Sequence, residues 1–311
     1  MNDHSGAARS VDKPGDAQLH AWQRAEKLPR VRRKPWTAWI VTTVCTIGIA
    51  FVIYSFATAP KMDWGTFAEY FFNPAILSGL VITMQLTLAG ILIASVVGFI
   101  LALMSASESP LIRFWGSLYN WFFRGVPLMV QLLLWYNLAI VFPVIRMPFV
   151  TVSTNDLISS FTASLLGLAL HEAAYMAEVI RGGLLSVPQS QTEAALSLGL
   201  TPRRVQYWIV FPQALRVIIP PAGNQFIALL KASSIVAVIG GGELLTRAQY
   251  IYGQNFAVFP LLLVTSAWYL ILTSAATVLQ QAAERSLDPR RHKANRVTKL
   301  GTGAAANAVE A

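Results

Sequence analysis

Two ionisable residues lie within long uncharged stretches of the sequence, where a charge is difficult to accommodate. Glu172 lies nine residues before Arg181, and Lys231 lies eleven residues after Pro220. If both stretches are helices that enter an apolar layer at Arg181 and Pro220, a rise of 1.5 Å per residue places the carboxylate ~13 Å and the ammonium ~16 Å deep. Ionisable groups at such depth are costly and are functional candidates by default. Two interpretations stay open: the two charges neutralise each other, or each meets a charged group of a ligand.

The residues after Lys231 favour an irregular backbone at this depth. Ser233 and Ser234 follow almost directly, and a glycine triplet occupies positions 240–242. A broken helix within an apolar layer must face protein or water, because its freed backbone groups need partners. We therefore predict that Glu172, Lys231, Ser233 and Ser234 border a lined cavity.

Sequence signatures of enzymes and of cofactor or metal sites are missing. The chain has no Gly-x-x-x-x-Gly-Lys-Ser/Thr phosphate loop and no Gly-Lys pair, so it does not bind ATP by that device. No pair of histidine or acidic residues has the spacing of metal ligands, and no nucleophile and base suggest themselves. We predict that the chain is not an enzyme and holds no cofactor or metal.

The composition places the chain in the membrane class. Of its 311 residues, 55% are hydrophobic and 13% are charged, whereas soluble domains carry about 25% charged residues. The net charge is +9, with the basic residues concentrated at the two ends. This distribution is typical of anchoring at an anionic membrane surface and disfavours nucleic acid as a partner.

Six apolar runs are long enough to cross the ~30 Å hydrocarbon core as helices. They cover residues 36–59, 76–104, 119–142, 160–180, 221–240 and 259–283. A disordered basic tail, 1–35, precedes them, and a polar tail, 284–311, follows. An Ala-x-Ala pattern at Ala57 and Ala59 leaves a cleaved signal peptide as an alternative, but the first run is longer than a signal-peptide core, so we predict a retained helix.

Basic residues alternate between heavily and lightly charged loops along the chain. Both tails and the 181–220 segment are rich in basic residues, the 105–118 segment carries Arg113, and each of the other three loops carries a single basic residue. The positive-inside rule then places both termini and the 105–118 and 181–220 segments in the cytoplasm, which fits six membrane crossings.

The 181–220 loop predicts two short helices joined by a glycine turn. Ser190 and Glu193 have capping-box spacing for the start of the first helix. Gly199 suits a left-handed helix end, and Thr201-Pro202 suits the start of the second helix. Pro212 is expected to end or kink that second helix.

This loop resembles the EAA loop of ATP-binding cassette (ABC) importer permeases. The matching residues are Glu193, Ala194, Ala195, Gly199, Ile209 and Pro212. Phe211 stands where the family usually has leucine, and Ala232 follows Lys231 where the family often has aspartate. The stretch 123–131 and the segments 174–188 and 213–221 resemble the amino-acid branch of this family, with Val126 in place of threonine.

The resemblance implies an all-α membrane protein with the five-helix core of a type I ABC importer, preceded by one extra helix at 36–59. It implies a permease domain over 76–283 and a coupling loop over about 187–221. It further implies a multi-pass permease subunit in the inner membrane that imports polar amino acids.

The resemblance also implies the partners. These are a dimer of ATPase subunits that binds ATP and magnesium, a second permease, an extracytoplasmic binding protein and membrane lipid. Pairing with that second permease is a further interpretation of Glu172 and Lys231. The alternative function is a secondary transporter or channel that does not use ATP.

Overall fold

The computed structural model describes residues 35–59, 62–147 and 150–287. Of the predicted disordered tail 1–35, all but Pro35 lies outside these residues, as does the C-terminal tail beyond residue 287. The chain divides into two compact units, Met1–Met62 and Asp63–Ala311, and each unit is described by itself.

In its described residues, 35–59 and 62, the first unit forms a helix, α1, from Pro35 to Ala57. It is uncharged, and its residues from Trp36 to Ser55 are exposed. The Thr42 hydroxyl donates to the Ala38 carbonyl at 2.8 Å, so this polar group is satisfied within the helix, as lipid surroundings demand. The predicted first crossing is thus a helix of sufficient length.

In the part of the chain that the structure describes, the second unit consists of helices, their connections and one small hairpin. Its elements are α2 (Trp64–Phe71), α3 (Pro74–Ser105), α4 (Pro110–Gly125), α5 (Leu128–Tyr136), α6 (Leu138–Val141), β1 (Val144–Met147), β2 (Val150–Ser153), α7 (Thr154–Leu157), α8 (Ser160–Leu185), α9 (Gln189–Ser197), α10 (Pro202–Val205), α11 (Phe211–Ala232), α12 (Leu244–Asn255) and α13 (Val258–Leu287).

Helices α3 and α8 form the centre of this unit and approach each other through small residues. A Cβ atom added to Gly98 of α3 would lie 2.9 Å from the Met176 Cβ and 3.0 Å from the Ala173 oxygen of α8. Small residues allow helices in membranes to pack closely where hydrophobic transfer supplies no driving force. Around this pair, α5 and α11 contribute Leu132 and Leu229 to a common core.

The predicted crossing at 119–142 is not one helix. The chain forms α4, breaks at Val126 and Pro127, and continues as α5 and α6. Pro127 has no backbone N–H to donate and forces the preceding residue towards an extended conformation; Val126 adopts φ −92° and ψ 129°. Five helices of the described chain remain long and apolar enough to cross a membrane: α1, α3, α8, the helix from Pro202 to Ile239, and α13.

The prediction that the second loop helix and the fifth crossing are separate helices is wrong. α10 continues through a π-helical turn, Gln206–Val210, directly into α11, and a 3₁₀ segment, Ser233–Ile239, follows. Pro212 lies in the first turn of α11 and neither ends nor separates the helix. The π turn widens the backbone just before Pro212, where a regular α-helix would clash with the proline ring.

Among the elements not anticipated from the sequence are a hairpin and a short helix. β1 and β2 pair as an antiparallel hairpin, with Ile145 opposite Val152. α2 precedes the predicted 76–283 domain and packs on α13, where the Phe71 and Trp268 rings stack with centroids 5.0 Å apart. The Trp268 indole N–H also donates to the Phe71 carbonyl at 2.8 Å.

Candidate functional site

The first helix of the basic loop, α9, begins two residues earlier than the capping box predicted. Pro188 occupies the N-cap position, and the helix starts at Gln189, so Ser190 lies inside the first turn and makes no capping bond. The Glu193 carboxylate instead accepts a hydrogen bond from the Gln189 side-chain amide at 2.9 Å. Glu193 and Ala194 are exposed, which leaves both available to a partner.

The glycine turn after α9 matches its prediction. Gly199 has φ +81°, a region that glycine enters without the steric cost a Cβ would bring. The Leu200 N–H donates to the Ala195 carbonyl at 3.2 Å and the Gly199 N–H to the Leu196 carbonyl at 2.9 Å. This pair of bonds is a Schellman motif, which satisfies carbonyls that the helix end would otherwise leave free.

A small apolar core supports the turn from behind. Ala195 of α9 is buried against Val205 and Val210, and Ile209 packs on the same cluster while partly exposed. The Gln213 side chain donates to the Gln191 side-chain oxygen at 2.6 Å and so ties α11 to α9. The turn therefore has a defined shape that is independent of any partner.

The outer face of the same loop exposes large apolar side chains. Leu198 is 84% exposed, Tyr207 74% and Trp208 66%. Arg204 lies over the Trp208 ring at 5.8 Å. Exposed apolar groups on an otherwise polar and basic segment are typical of a protein-binding surface. We call this surface, formed by residues 193–208, the docking loop.

Glu172 and Lys231 are not an ion pair. In the described part of the chain no nitrogen of Lys231 lies within 4.0 Å of a carboxylate; the ion pairs there join Glu178 to Arg124 at 3.8 Å and to Arg181 at 2.7 Å. Glu172 is 6% exposed, and its Oε1 has no hydrogen-bond partner, whereas Lys231 is exposed. The interpretation that they neutralise each other within this chain is therefore wrong.

The backbone beyond Lys231 is irregular, as predicted. The helix changes to 3₁₀ geometry at Ser233, and Gly240 ends that segment with φ +63°. The Ser233 hydroxyl is buried and donates to the Leu230 carbonyl at 2.7 Å. The Ser234 hydroxyl donates to the Lys231 carbonyl at 2.8 Å. Both serines thus satisfy carbonyls close to the place where the helix loosens.

Glu243 is a buried residue that the sequence analysis missed. It is 0% exposed, directly follows the glycine triplet, and is the N-cap of α12. Its carboxylate oxygens accept hydrogen bonds from the backbone N–H groups of Leu245 and Thr246, at 2.6 and 2.9 Å. An acidic residue between glycines and an apolar helix was the available signal.

Gln131 is the second missed residue, and it explains the broken helix. Its side-chain amide donates to the Phe123 carbonyl at 2.9 Å and to the Val126 carbonyl at 2.8 Å. These carbonyls lie next to the break at Pro127, where backbone donors are lacking. The Gln131 amide nitrogen also lies 3.2 Å from the His171 Nδ1, which links the break to α8. The position of Gln131, four residues after Pro127, was the signal in the sequence.

The chain is similar to a family of transport proteins and to known transport permeases. Residues 94–289 match the family described as binding-protein-dependent transport system inner membrane component. The arginine transport system permease protein of Corynebacterium glutamicum is 36% identical over 252 residues, which are 80% of each chain. The octopine transport system permease protein of Rhizobium radiobacter is 33% identical over 77% of this chain and 94% of that protein.

Solved structures agree with the fold. A crystal structure of an amino acid ABC transporter with histidines superposes with a TM-score of 0.64 at 35% identity, covering 72% of this chain and 99% of that one. An inward-facing MetNI methionine ABC transporter gives a TM-score of 0.56 at 18% identity, covering 69% of this chain and 96% of that one. The second likeness concerns the fold alone.

Proposed function

Because this chain belongs to the family of binding-protein-dependent transport system inner membrane components, we propose that it imports a polar amino acid together with a separate ATPase. The chain is a permease subunit of an ABC importer, and its relatives are named for arginine and octopine transport. Partner proteins form the rest of the transporter. They are two ATPase subunits that bind ATP and magnesium, a second permease and an extracytoplasmic binding protein.

The docking loop is the observation that carries this proposal. It combines a rigid Schellman turn at Gly199 with exposed Leu198, Tyr207 and Trp208. A short helix that docks in a groove of its partner is a recurring recognition mode. The ATPase would hold α9 in such a groove and move it when ATP binds. Since the ATPase would be cytoplasmic, we propose that the docking loop is cytoplasmic and, with six crossings, that both termini are cytoplasmic as well.

The small core behind Ala195 and the Gln191–Gln213 bond would carry that movement into α11. α11 belongs to the continuous helix that leads to Lys231. The spans would then alternate between inward and outward openings. A secondary transporter, the alternative function, has no need of a preformed docking turn.

The docking loop is tested by the same glutamate-to-arginine substitution at two positions, one in the loop and one outside it. Glu193→Arg reverses the charge in the middle of α9 and removes the acceptor of the Gln189 side-chain amide, which changes the docking surface. Glu108→Arg, at an exposed residue of the predicted cytoplasmic α3–α4 connection, is the matched control. Both variants should insert in the membrane, but Glu193→Arg should lose uptake of labelled amino acid and co-purification of the ATPase.

The energy source is measured in the same cells. Uptake by the unaltered chain should collapse when ATP is depleted and persist when an uncoupler dissipates the proton gradient. Uptake that follows the proton gradient, or normal uptake by Glu193→Arg, would contradict the proposal.

For the substrate path we propose Glu172, Lys231, Ser233 and Ser234. The unpartnered Glu172 oxygen suits the amino group of an amino acid, and the exposed Lys231 ammonium suits its carboxylate. Glu172→Lys, Lys231→Glu and the combined exchange should all abolish uptake while the ATPase still binds. Transport restored by the exchange would indicate that the two charges pair between two permeases, and would contradict contact with substrate.

A further inference from the structure

Glu243 makes more hydrogen bonds than the cap of a helix requires. Besides the two backbone groups, its Oε1 accepts from the Thr246 hydroxyl at 2.8 Å, and its Oε2 accepts from the Tyr269 hydroxyl of α13 at 3.2 Å. Aspartate, asparagine, serine or threonine suffices to cap a helix. The longer glutamate side chain is needed to reach Tyr269 from the start of α12.

The Tyr269 hydroxyl connects this cap to the end of α11. The Tyr269 and Ser233 hydroxyl oxygens lie 3.5 Å apart. Because Tyr269 donates its proton to Glu243 and Ser233 donates its proton to Leu230, this is a polar contact and not a further hydrogen bond. Ser233 is the residue where the helix changes to 3₁₀ geometry. The contacts from Glu243 to Tyr269 to Ser233 therefore bridge the 3₁₀ segment and the glycine triplet. Both ends of the irregular segment are contacted by one partly buried side chain of α13.

The same turn is also fixed to α3. The Leu244 N–H donates to the Thr83 hydroxyl at 3.2 Å. A Cβ added to Gly79 of α3 would lie 2.9 Å from the Leu244 Cα, so the backbones are already in contact. The start of α12 is thus fixed by contacts to both α3 and α13. Through Glu243 it also fixes the Tyr269 hydroxyl, which contacts Ser233.

We propose that Glu243 is a positioning residue that acts through Tyr269 on the Lys231–Ser234 segment. Its carboxylate orients the Tyr269 hydroxyl, and that hydroxyl sets where the helix ends and where the Lys231 ammonium and the Ser234 hydroxyl lie. This inference rests on the proposed function, because the segment it positions is the proposed substrate path.

Two substitutions break the link from opposite sides and leave the α12 cap in place. Tyr269→Phe removes the hydroxyl alone. Glu243→Asp keeps a good capping residue but is shorter by one carbon–carbon bond, about 1.5 Å, so it does not reach Tyr269. Thr246→Val is the matched control, because it removes another donor to Glu243 without touching the link.

We expect amino-acid uptake per inserted chain to fall about three- to tenfold in Tyr269→Phe and in Glu243→Asp, with no further fall in the double variant, because residues that act through one link are not additive. Thr246→Val should retain uptake. Independent, additive losses in the double variant, or wild-type uptake in both single variants, would overturn the inference.

A second measurement separates positioning from plain stability. The native Cys45 is replaced by serine, and Ser234→Cys introduces a new cysteine that a thiol reagent labels. Adding Tyr269→Phe should change the labelling rate of this cysteine at least threefold. Adding Thr246→Val should not change it. A merely structural Glu243 would lower the melting temperature and leave the labelling rate unchanged, which overturns the inference. Absence of ATP-driven uptake in the unaltered chain would instead contradict the proposed function, and labelling would still report on the link.

Discussion

The two glycine turns of this protein have opposite surroundings. At Gly199 a Cβ would meet nothing within 4 Å, and the adjoining Leu198 is 84% exposed. At Gly241 a Cβ would lie 2.1 Å from the Val236 Cγ1 and 2.7 Å from the Ser164 hydroxyl oxygen. The first turn needs glycine for its backbone angle alone, whereas the second needs it for space at Gly241 and for the backbone angle at Gly240 and Gly242. A positive φ is thus compatible with a docking surface, whereas close packing marks a turn that is internal to the spans.

The largest effect is expected from Gly199→Val, because it changes the shape of the docking loop. A left-handed conformation costs a bulky residue roughly 1–3 kcal/mol, and the turn should rearrange rather than bear it. The chain should reach the membrane at normal levels and lose uptake, measured per inserted chain. Gly199→Asn should retain most uptake, since asparagine tolerates this region. Normal uptake by Gly199→Val would remove the distinction between the two turns.

An intermediate effect is expected from Gly241→Ala, through packing. Overpacking of a closely packed interior costs about 1–3 kcal/mol, so the melting temperature and the membrane level should fall while docking of the ATPase persists. Val236→Ala should restore part of the loss by removing the nearer of the two clashing atoms. Gly125→Ala is the control, since nothing lies within 4 Å of its Cβ position. Full stability of Gly241→Ala would show that the turn has room to relax.

The smallest effect is expected at Asp63, an exposed counterpart of the buried Glu243 cap. The Asp63 carboxylate accepts from the Thr66 hydroxyl at 2.6 Å and the Thr66 N–H at 3.1 Å, and these bonds lower its pKa below the usual value. Because the pKa is lowered in the folded chain, the stabilisation of α2 is present above the unfolded pKa and is lost as the pH falls through the lowered value. Asp63→Asn should abolish this acid dependence of α2, measured by amide hydrogen exchange, and leave uptake unchanged. A large transport defect would contradict a local role.

Local chemistry made the Gly199 turn predictable, because its signals lie within a few residues of one another. The apolar runs likewise predicted most of the long helices. The capping box at Ser190 failed because Pro188 takes the N-cap position. The merger of α10 with α11 depends on a π turn that precedes Pro212, which periodicity does not reveal. Glu243 was missed because one of its partners, Tyr269, lies 26 residues further along the chain.

The unbroken helix from Pro202 to Ile239 has a mechanical consequence. Its 38 residues span roughly 57 Å at 1.5 Å per residue, so each degree of tilt about the docking end shifts the far end by about 1 Å. Pro220 and Pro221 lie near its midpoint, where each removes a backbone hydrogen bond and lowers the bending stiffness. The helix can therefore tilt as one body and bend near its midpoint. A rotation of a few degrees at the membrane surface becomes a displacement of several ångströms at the level of Lys231.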